Sequence, residues 1–572
     1  MRRVDRQSLP APWRFRLVVA LFVLAAGAVL GRAVELQLFD RAFLQGQGQA
    51  RYLRTLAIPA HRGMILDRRG EPLAVSTPVD SVWANPRVLL AQPRYLVPLA
   101  EVLEMTPRRL SRLVHAHSRK AFLYLARHVP PTVAQRVRAL KAPGVYLQRE
   151  YARYYPTAEV SAQLLGITDI DDSGQEGLEL AYDRWLHGEP GAMRVLRDGR
   201  HHLIRKLAQL RAPRPGRDLV LSIDRRIQYL AYRELKRAVR ARRARGGSAV
   251  VLDVRSGEVL AMVNQPSCNP NDRRHLRRGA LRNRAITDLF EPGSTMKPFT
   301  IAAALESGRY SPHTPIDTAP GFLRVGRATI RDDRNFGALD VTGVIRKSSN
   351  VGATKIALSL PPRRMWNLLT AVGFGRATDS GFPGEAAGIL RPYDQWHRLD
   401  QATIAFGYGL SVTPLQLARA YATLAAGGLQ RPVSLLRQDR PPAGERVIPA
   451  AVARAVDRML EEVVTPAGTA PAAAVAGYRV AGKTGTVHKS IAGGYSEDHY
   501  VAVFAGFAPA SRPVLVTVVM IDDPRRGSYY GGKVAAPVFS RIMAGALRVL
   551  NVEPDAVPAG GQRMATRGGG AA

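Results

Sequence analysis

Glu291-Pro292-Gly293-Ser294-Thr295-Met296-Lys297-Pro298, running into Phe299-Thr300-Ile301-Ala302-Ala303-Ala304-Leu305, is the stretch on which the reading of this 572-residue chain turns. A Pro-Gly pair ahead of an apolar run marks a helix start, and Pro298 is tolerated only in a first turn. Ser294 is therefore expected at a helix N-terminus, where unpaired backbone N–H groups and the helix dipole favour developing negative charge. Residues three apart share a helix face, which puts the Lys297 amine within reach of the Ser294 hydroxyl. A serine hydroxyl attacks only when a neighbour takes its proton. A lysine can take it once burial or a second positive charge has lowered its ordinary value near 10.4. Alone the pattern is weak, because a capping serine followed by a solvated lysine reads the same way.

Two further motifs change the odds. Ser348-Ser349-Asn350 lies 54 residues on, and Lys483-Thr484-Gly485-Thr486 another 135 residues beyond it. Each alone reads as a polar or glycine-containing turn. The flanks of the second, Arg479-Val480-Ala481-Gly482 and Val487, have the character of an edge strand, with Gly485 leaving room for a substrate against the backbone. Lysine usage adds weight. Of 82 basic residues only ten are lysine, yet positions 297 and 483 both keep it. Arginine is not deprotonated in proteins, so a general base at 297 has to be lysine. At 483 a compact ammonium suits a carboxylate or a proton relay.

The composition is globular, with 46% hydrophobic and 22% charged residues, and the length holds more than one folded unit. The one cysteine, Cys268, excludes an internal disulfide and a multi-cysteine zinc site. No His/Glu spacing suggests a ligand set, so neither metal nor cofactor is expected. The net charge of +36 comes from arginines spread over the whole length in short clusters such as 240–245 and 273–278. Without zinc-finger spacing, an RNP-like aromatic motif or basic-region heptads, this is a diffuse preference for anionic surfaces rather than nucleic-acid binding.

Residues 17–31, LVVALFVLAAGAVLG, are apolar behind Arg2, Arg3, Arg6, Arg14 and Arg16, and weaker apolar character continues past Arg32 to Phe39. The uncharged run falls short of the roughly 20 residues that span a bilayer unless Arg32 snorkels to the far interface. A cleaved signal peptide is the rival reading. Its small-residue site, Ala26-Gly27-Ala28, sits inside the run rather than after it, which favours an uncleaved anchor over 17–39. The arginine-rich residues 1–16 are then expected in the cytoplasm and the chain after about residue 40 outside.

Residues 40–215 mix short strand-like and helical segments and carry no catalytic cluster. They hold a strand and turn at Arg62-Gly63-Met64-Ile65-Leu66-Asp67-Arg68-Arg69-Gly70, a leucine- and arginine-rich helical patch over 94–142, and a helix opening at 174–179 and running to Leu186. The Arg-Pro-rich 211–217 reads as a boundary. Beyond it come a short strand (218–223), a helix (226–243), and strands at 248–254 and 258–263 joined by Arg255-Ser256-Gly257, a hairpin signal. Strands return at 500–507 and 514–521. Strands split around a helical middle imply an α+β fold over 216–552, an antiparallel sheet with helices packed on it. The Gly-, Ala- and Pro-rich 553–572 is expected to be a disordered tail.

In this order, Ser-x-x-Lys, Ser-x-Asn and Lys-Thr-Gly resemble the signature of penicillin-binding proteins and serine β-lactamases. Arg62-Gly63-x-Ile65-x-Asp67-Arg68-x-Gly70 is similar to the N-terminal signature of class B penicillin-binding proteins, and Asn283-Arg284-Ala285 through Phe290-Glu291-Pro292-Gly293-Ser294 to that family's approach to the nucleophile. Gly506-Phe507-Ala508-Pro509 and Tyr529-Tyr530-Gly531-Gly532-Lys533 resemble the division-type, FtsI-like branch. The resemblance covers about 15–550. It implies a transpeptidase domain of the penicillin-binding fold behind a transmembrane helix and an elongated pedestal domain of the class B dimerisation type.

The resemblance also implies peptidoglycan D,D-transpeptidation at the division septum. Ser294 would attack the carbonyl between the two terminal D-alanines of a stem peptide, release D-alanine, and pass the acyl group to an amine of a neighbouring stem. Lys297 would be the base, a role disputed in parts of the superfamily. Ser348 would relay a proton to the leaving nitrogen and Asn350 would bind the substrate amide. Lys483, Thr484 and Thr486 would hold the substrate carboxylate beside Gly485, and the N–H groups of Ser294 and Thr486 would form the oxyanion hole. The implied partners are the lipid-linked precursor polymer, a membrane glycosyltransferase of the SEDS type and other division proteins, with β-lactams as acylating inhibitors. The implied location is the inner membrane, N-terminus cytoplasmic and catalytic domain periplasmic.

A class A β-lactamase would add a Glu-x-x-Leu-Asn loop, and no such string occurs between Asn350 and Lys483. Glu385, in Phe382-Pro383-Gly384-Glu385, belongs instead to a pattern resembling division transpeptidases. A bifunctional class A penicillin-binding protein would need a glycosyltransferase domain before residue 215, where the class B signature stands. An elongation-type enzyme or specialised paralogue stays open, and the intact motifs argue against a non-enzymatic basic scaffold. Cys268 departs from the aromatic residue that related chains often carry there and is read as packing.

Overall fold

The apolar run near the N-terminus forms one continuous helix. In the structure, a computed structural model that describes residues 12–39, 53–197, 203–277, 279–491 and 493–556, α1 (Pro12–Val34) continues through a wider turn at Glu35–Phe39. Trp13–Phe39 is long and apolar enough to cross a membrane. The 23 residues of α1 alone rise about 35 Å, against a hydrocarbon core of about 30 Å. Arg32 does not end the helix, being itself a good helix former, and Glu35 one turn on pairs with its guanidinium at 2.6 Å. Of the expected tails, 1–11 and 557–572 lie outside the described residues.

The described residues fold as two compact units, one within 1–61, 79–150 and 188–215 and the other within 62–78, 151–187 and 216–572. In the first, Leu53–Ile58, Gly191–Arg197 and Leu203–Arg211 make an antiparallel sheet in that order. Its apolar core gathers Val82, Leu89, Leu99, Leu110, Leu125 and Val137. The helical patch over 94–142 is three helices, Leu96–Val102, Pro107–Ala116 and Pro131–Leu140, not one. A strand, Leu123–Val129, breaks the patch by pairing Ala126 with Val82 and Tyr124 with Trp83. Long-range pairing overrides local helix preference there.

The second unit takes in 62–78 and 151–187, which the sequence groups with the N-terminal part. A buried ion network ties them together. Arg62 donates to Glu179 at 2.8 Å and to Asp183 at 2.7 Å, and Arg153 donates to the other Glu179 oxygen at 2.7 Å. The helix expected from 174 to 186 is two short ones, Gly177–Ala181 and Asp183–Leu186, carrying those acids.

Five antiparallel strands organise this unit: β1 (Gly246–Asp253), β2 (Val259–Gln265), β3 (Ala481–Ile491), β4 (Gly494–Ala508) and β5 (Leu515–Asp522), in spatial order β2-β1-β5-β4-β3. One register line runs Met262, Val250, Val518, Ala505, Lys483. β1 and β2 are buried at every position, and the hairpin between them turns on Gly257 at φ +76°. Seven helices of the unit pack around this sheet: α2 (Arg225–Ala241), α3 (Lys297–Glu306), α4 (Val341–Lys347), α5 (Asn350–Leu358), α6 (Pro414–Ala425), α7 (Ala450–Val464) and α8 (Ala536–Val549). α2 and α8 cover one face of the sheet. α6 and α7 cover the other, with α3, α4 and α5 packed beyond them. This is the α+β arrangement read from the strand spacing. At its centre Phe299 of α3 meets Phe374 and Tyr421 edge-on at 5.4 and 5.6 Å.

Candidate active site

Ser294 sits in a tight 3₁₀ turn, Gly293–Met296, that leads directly into α3. Pro298 lies in the first turn of α3, and Lys297 through Ala304 are buried, so the helix crosses the interior. Three bonds hold the turn. Gly293 N–H donates to the Gly407 carbonyl at 3.1 Å, the Thr295 hydroxyl to the Pro292 carbonyl at 2.7 Å, and the Tyr421 hydroxyl of α6 to the Thr295 carbonyl at 2.9 Å. Ser294 is half-buried, and its hydroxyl makes no hydrogen bond among the described residues. The Lys297 amine therefore does not bond to Ser294. It turns to the second motif.

Lys297 is fully buried, and its Nζ donates to the Ser348 carbonyl, to Ser348 Oγ at 3.1 Å and to Asn350 Oδ1 at 2.8 Å. Lys483, equally buried on β3, donates to the same Ser348 Oγ at 2.8 Å. One hydroxyl thus bridges two amines. Ser348 is the C-cap of α4 at φ 60°, ψ 37°, a left-handed conformation that costs a non-glycine residue about 1 kcal/mol. Ser349 then caps α5, its hydroxyl oxygen accepting from Gly352 N–H at 2.8 Å. The sharp reversal between the two helices aims both the carbonyl and the hydroxyl of Ser348 at Lys297. Asp332 braces the reversal by accepting from the Ser349 hydroxyl at 2.6 Å and from the N–H groups of Asn350 at 2.5 Å and Val351 at 3.0 Å.

Burial pushes Lys297 down to about 7, against the opposing pull of Asp332 and Asp333. Burial likewise holds Lys483 well below the usual lysine range, and the charge of Lys297 pushes it the same way. Two ammonium groups sharing one hydroxyl in a dry site repel each other, so the pair does not hold two full charges near neutral pH.

β3 is an edge strand of the sheet, and its alternate residues face opposite sides. On the nucleophile side, a methyl group on Gly485 would lie 2.7 Å from the Pro292 carbonyl oxygen, so only glycine permits this approach. On the other side the Thr486 hydroxyl accepts from Gly531 N–H at 2.9 Å, and the buried Thr484 hydroxyl lies 3.1 Å from that of Thr469 and 3.4 Å from Lys483 Nζ. A cleft of about 820 Å³ opens here, bordered by Asn350, Thr486, Asp333, Tyr408, Tyr500 and Tyr529. One wall is aromatic, with Tyr500 and Tyr529 stacked at 3.9 Å and Tyr529 and Tyr530 at 4.6 Å. An open strand edge beside buried lysines and a polar–aromatic cleft can take an extended peptide ending in a carboxylate.

The structure brings Lys297, Ser348, Asn350 and Lys483 into one hydrogen-bonded cluster beside the Ser294 turn. Asn350 uses both ends of its amide, since its Nδ2 donates to the Arg331 carbonyl at 3.0 Å. Asp332 and Asp333 escaped the sequence reading and carry no distinctive signal in it, since Asp171-Asp172 and Asp522-Asp523 are Asp-Asp pairs as well. Glu385 is tied into its own loop by Thr378 and Ser380. The Cys268 thiol is half-buried and pushed up by burial, which disfavours the reactive thiolate. Among the described residues no group of three His, Cys, Asp or Glu could hold a metal ion.

Comparison with known proteins extends from the site to the whole chain. Residues 247–544 match the Penicillin binding protein transpeptidase domain family and residues 57–221 the Penicillin-binding Protein dimerisation domain family. Over 564 residues the chain is 43% identical to the peptidoglycan D,D-transpeptidase FtsI of Escherichia coli, which takes in 98% of this chain and 95% of that protein. It is 44% identical over 543 residues to the probable peptidoglycan D,D-transpeptidase PbpC of Pseudomonas aeruginosa, covering 95% and 96%. The apo transpeptidase domain of Burkholderia pseudomallei penicillin-binding protein 3 superposes with a TM-score of 0.55 at 48% identity, covering 59% of this chain and 98% of that domain. With both domain families in place and identity sustained end to end, the chain belongs to the class B penicillin-binding proteins, on their FtsI-like branch.

Proposed function

We propose that this protein cross-links peptidoglycan by acyl transfer through Ser294, and that the two buried lysines around Ser348 make Ser294 a nucleophile. As a family member it is a division-type serine D-Ala-D-Ala transpeptidase. The observation that carries the residue roles is the bridge from Lys297 Nζ to Ser348 Oγ to Lys483 Nζ, at 3.1 and 2.8 Å.

A neutral Lys297 takes the Ser294 proton as Oγ bonds to the carbonyl carbon between the two D-alanines. The N–H groups of Ser294 and Thr486 stabilise the oxyanion. The proton then passes through Ser348 to the leaving nitrogen, the C–N bond breaks and D-alanine departs. An acceptor amine attacks the acyl-enzyme by the reverse proton path. The substrate carboxylate lies by Lys483, Thr484 and Thr486, with Gly485 clearing the edge and Asn350 releasing Arg331 to bind the substrate amide. A carboxylate there favours the charged form of Lys483, and that charge keeps Lys297 neutral, so substrate binding readies its own base.

The wider reading places residues 1–16 in the cytoplasm, 17–39 in the inner membrane, 40–215 as a pedestal and 216–552 as the periplasmic catalytic domain. A SEDS-type glycosyltransferase supplies the lipid-linked polymer, other division proteins complete the assembly, and β-lactams acylate Ser294. The test is covalent labelling of the detergent-solubilised full chain with fluorescent penicillin. Labelling is expected to vanish in Ser294→Ala, and labelling that survives the substitution overturns the assignment. Depletion is expected to give filaments with a tagged copy at midcell. Swollen cells and a lateral-wall signal favour the elongation role instead.

A further inference from the structure

The amphipathic pattern of α2 leaves a one-sided cationic stripe on the sheet face remote from Ser294. Its buried side, Ile227, Ala231, Leu235 and Ala238, packs on the sheet. Arg226, Tyr229, Arg233, Arg237 and Arg240 are all exposed and follow one another at steps of three or four residues. That spacing keeps them on one face of the helix and spreads them along about 21 Å of its axis. Residues 156–160 stand opposite as a second wall, and a groove of about 1050 Å³ runs between the two.

The charges in the groove are not balanced. Arg226 pairs with Asp224 at 2.6 Å, Arg233 with Glu234 at 2.9 Å and Lys236 with Glu159 at 3.1 Å. Glu234 is shared with Arg541 at 2.6 Å. Arg237 and Arg240 have no acidic partner among the described residues. Tyr229, 54% exposed, sits mid-stripe and offers an apolar ring with a polar tip.

We propose that this groove docks an acidic helical segment of a partner protein. Guanidinium groups grip carboxylates and phosphates alike as two-pronged forks, so it is the helical spacing and the shape of the groove that select a polypeptide bearing carboxylates. The steps from Arg233 to Arg237 to Arg240 rise about 6 and 4.5 Å, the same rises that separate acids at i, i+4 and i+7 of a second helix. The groove is concave and so fits a chain rather than a flat bilayer. Exposed ion pairs are weak one at a time, so the stripe works only as an array.

The probe is a labelled 22-residue alanine-rich peptide with glutamates at i, i+4, i+7 and i+11, set against a scrambled peptide of the same composition. Fluorescence anisotropy with the full-length chain is expected to show about tenfold tighter binding of the one-sided peptide. Arg233→Gln/Arg237→Gln/Arg240→Gln is expected to abolish that preference. Removing the same charge from the exposed Arg108, Arg109 and Arg112 is expected to leave it intact. Penicillin labelling at Ser294 reports that each variant is folded. Equal binding of the two peptides, or equal loss in the two triple variants, overturns the proposal. So does tighter binding of phosphatidylglycerol vesicles or duplex DNA that the groove variant alone loses, since that assigns the stripe to phosphate.

Discussion

In its proposed role Lys297 has to be neutral enough to take a proton yet hydrogen-bonded enough to stay buried, and its surroundings are consistent with both demands. Its value of about 7 means that acylation by penicillin should rise with pH through about 7 and level off above it, because the deprotonated amine is the active form. Lys297→Arg keeps the charge and loses the base, so acylation should fall about 10²- to 10⁴-fold, and a normal rate would remove Lys297 from the role. Asp332 pulls the lysine upward, so Asp332→Asn should shift the midpoint of the pH profile to lower pH. It should also cost about 1 kcal/mol of stability, because the bonds from Ser349, Asn350 and Val351 lose a charged acceptor. An unmoved midpoint would mean that Asp332 only braces the turn.

At the scale of elements, the site is a junction of three helix ends and one strand edge. The α4–α5 reversal rests on Ser348 in a conformation that glycine adopts freely. Ser348→Gly should therefore relieve about 1 kcal/mol of backbone strain while losing two bonds to buried amines, leaving thermal stability at or below that of the parent, and acylation should fall at least about a hundredfold with the relay removed. A variant both stable and fully active would discount the hydroxyl. The β3 edge makes the complementary demand on space. Gly485→Ala would put a carbon 2.7 Å from the Pro292 carbonyl oxygen, so strand and nucleophile turn must part. We expect a loss of acylation of about tenfold or more with a far-ultraviolet circular dichroism spectrum like that of the parent.

At the scale of the whole molecule, the two buried amines cost stability. The unfolded chain protonates Lys297 near 10.5 and the folded one near 7, so between those pH values the unfolded state binds more protons and stability rises with pH. Lys483, also lowered, acts in the same direction. Lys297→Met should thus be more stable than the parent at pH 7, by roughly 2–4 kcal/mol, with the gap closing toward pH 10. Equal melting temperatures at pH 7 would show that hydrogen bonds from Ser348 and Asn350 offset the burial.

The α+β class, the paired strands and the three motifs were legible because each rests on short-range pattern: apolar runs, turn glycines, and lysines kept against an arginine bias. Sequence by itself singled out the residues proposed for the chemistry and a strand that stands at a sheet edge. Tertiary structure alone decided how those residues meet. Ser348, not Ser294, receives the Lys297 amine, because a left-handed turn between two helices directs it there. Asp332 and the Arg62–Glu179–Arg153 network act across long sequence separations, and only a folded interior, where buried charge must find a partner, brings such residues together. The membrane-length helix falls between the two cases. Its apolar run was plain in the sequence, while its continuation through Arg32 to Phe39 and the Arg32–Glu35 pair appear only in the structure.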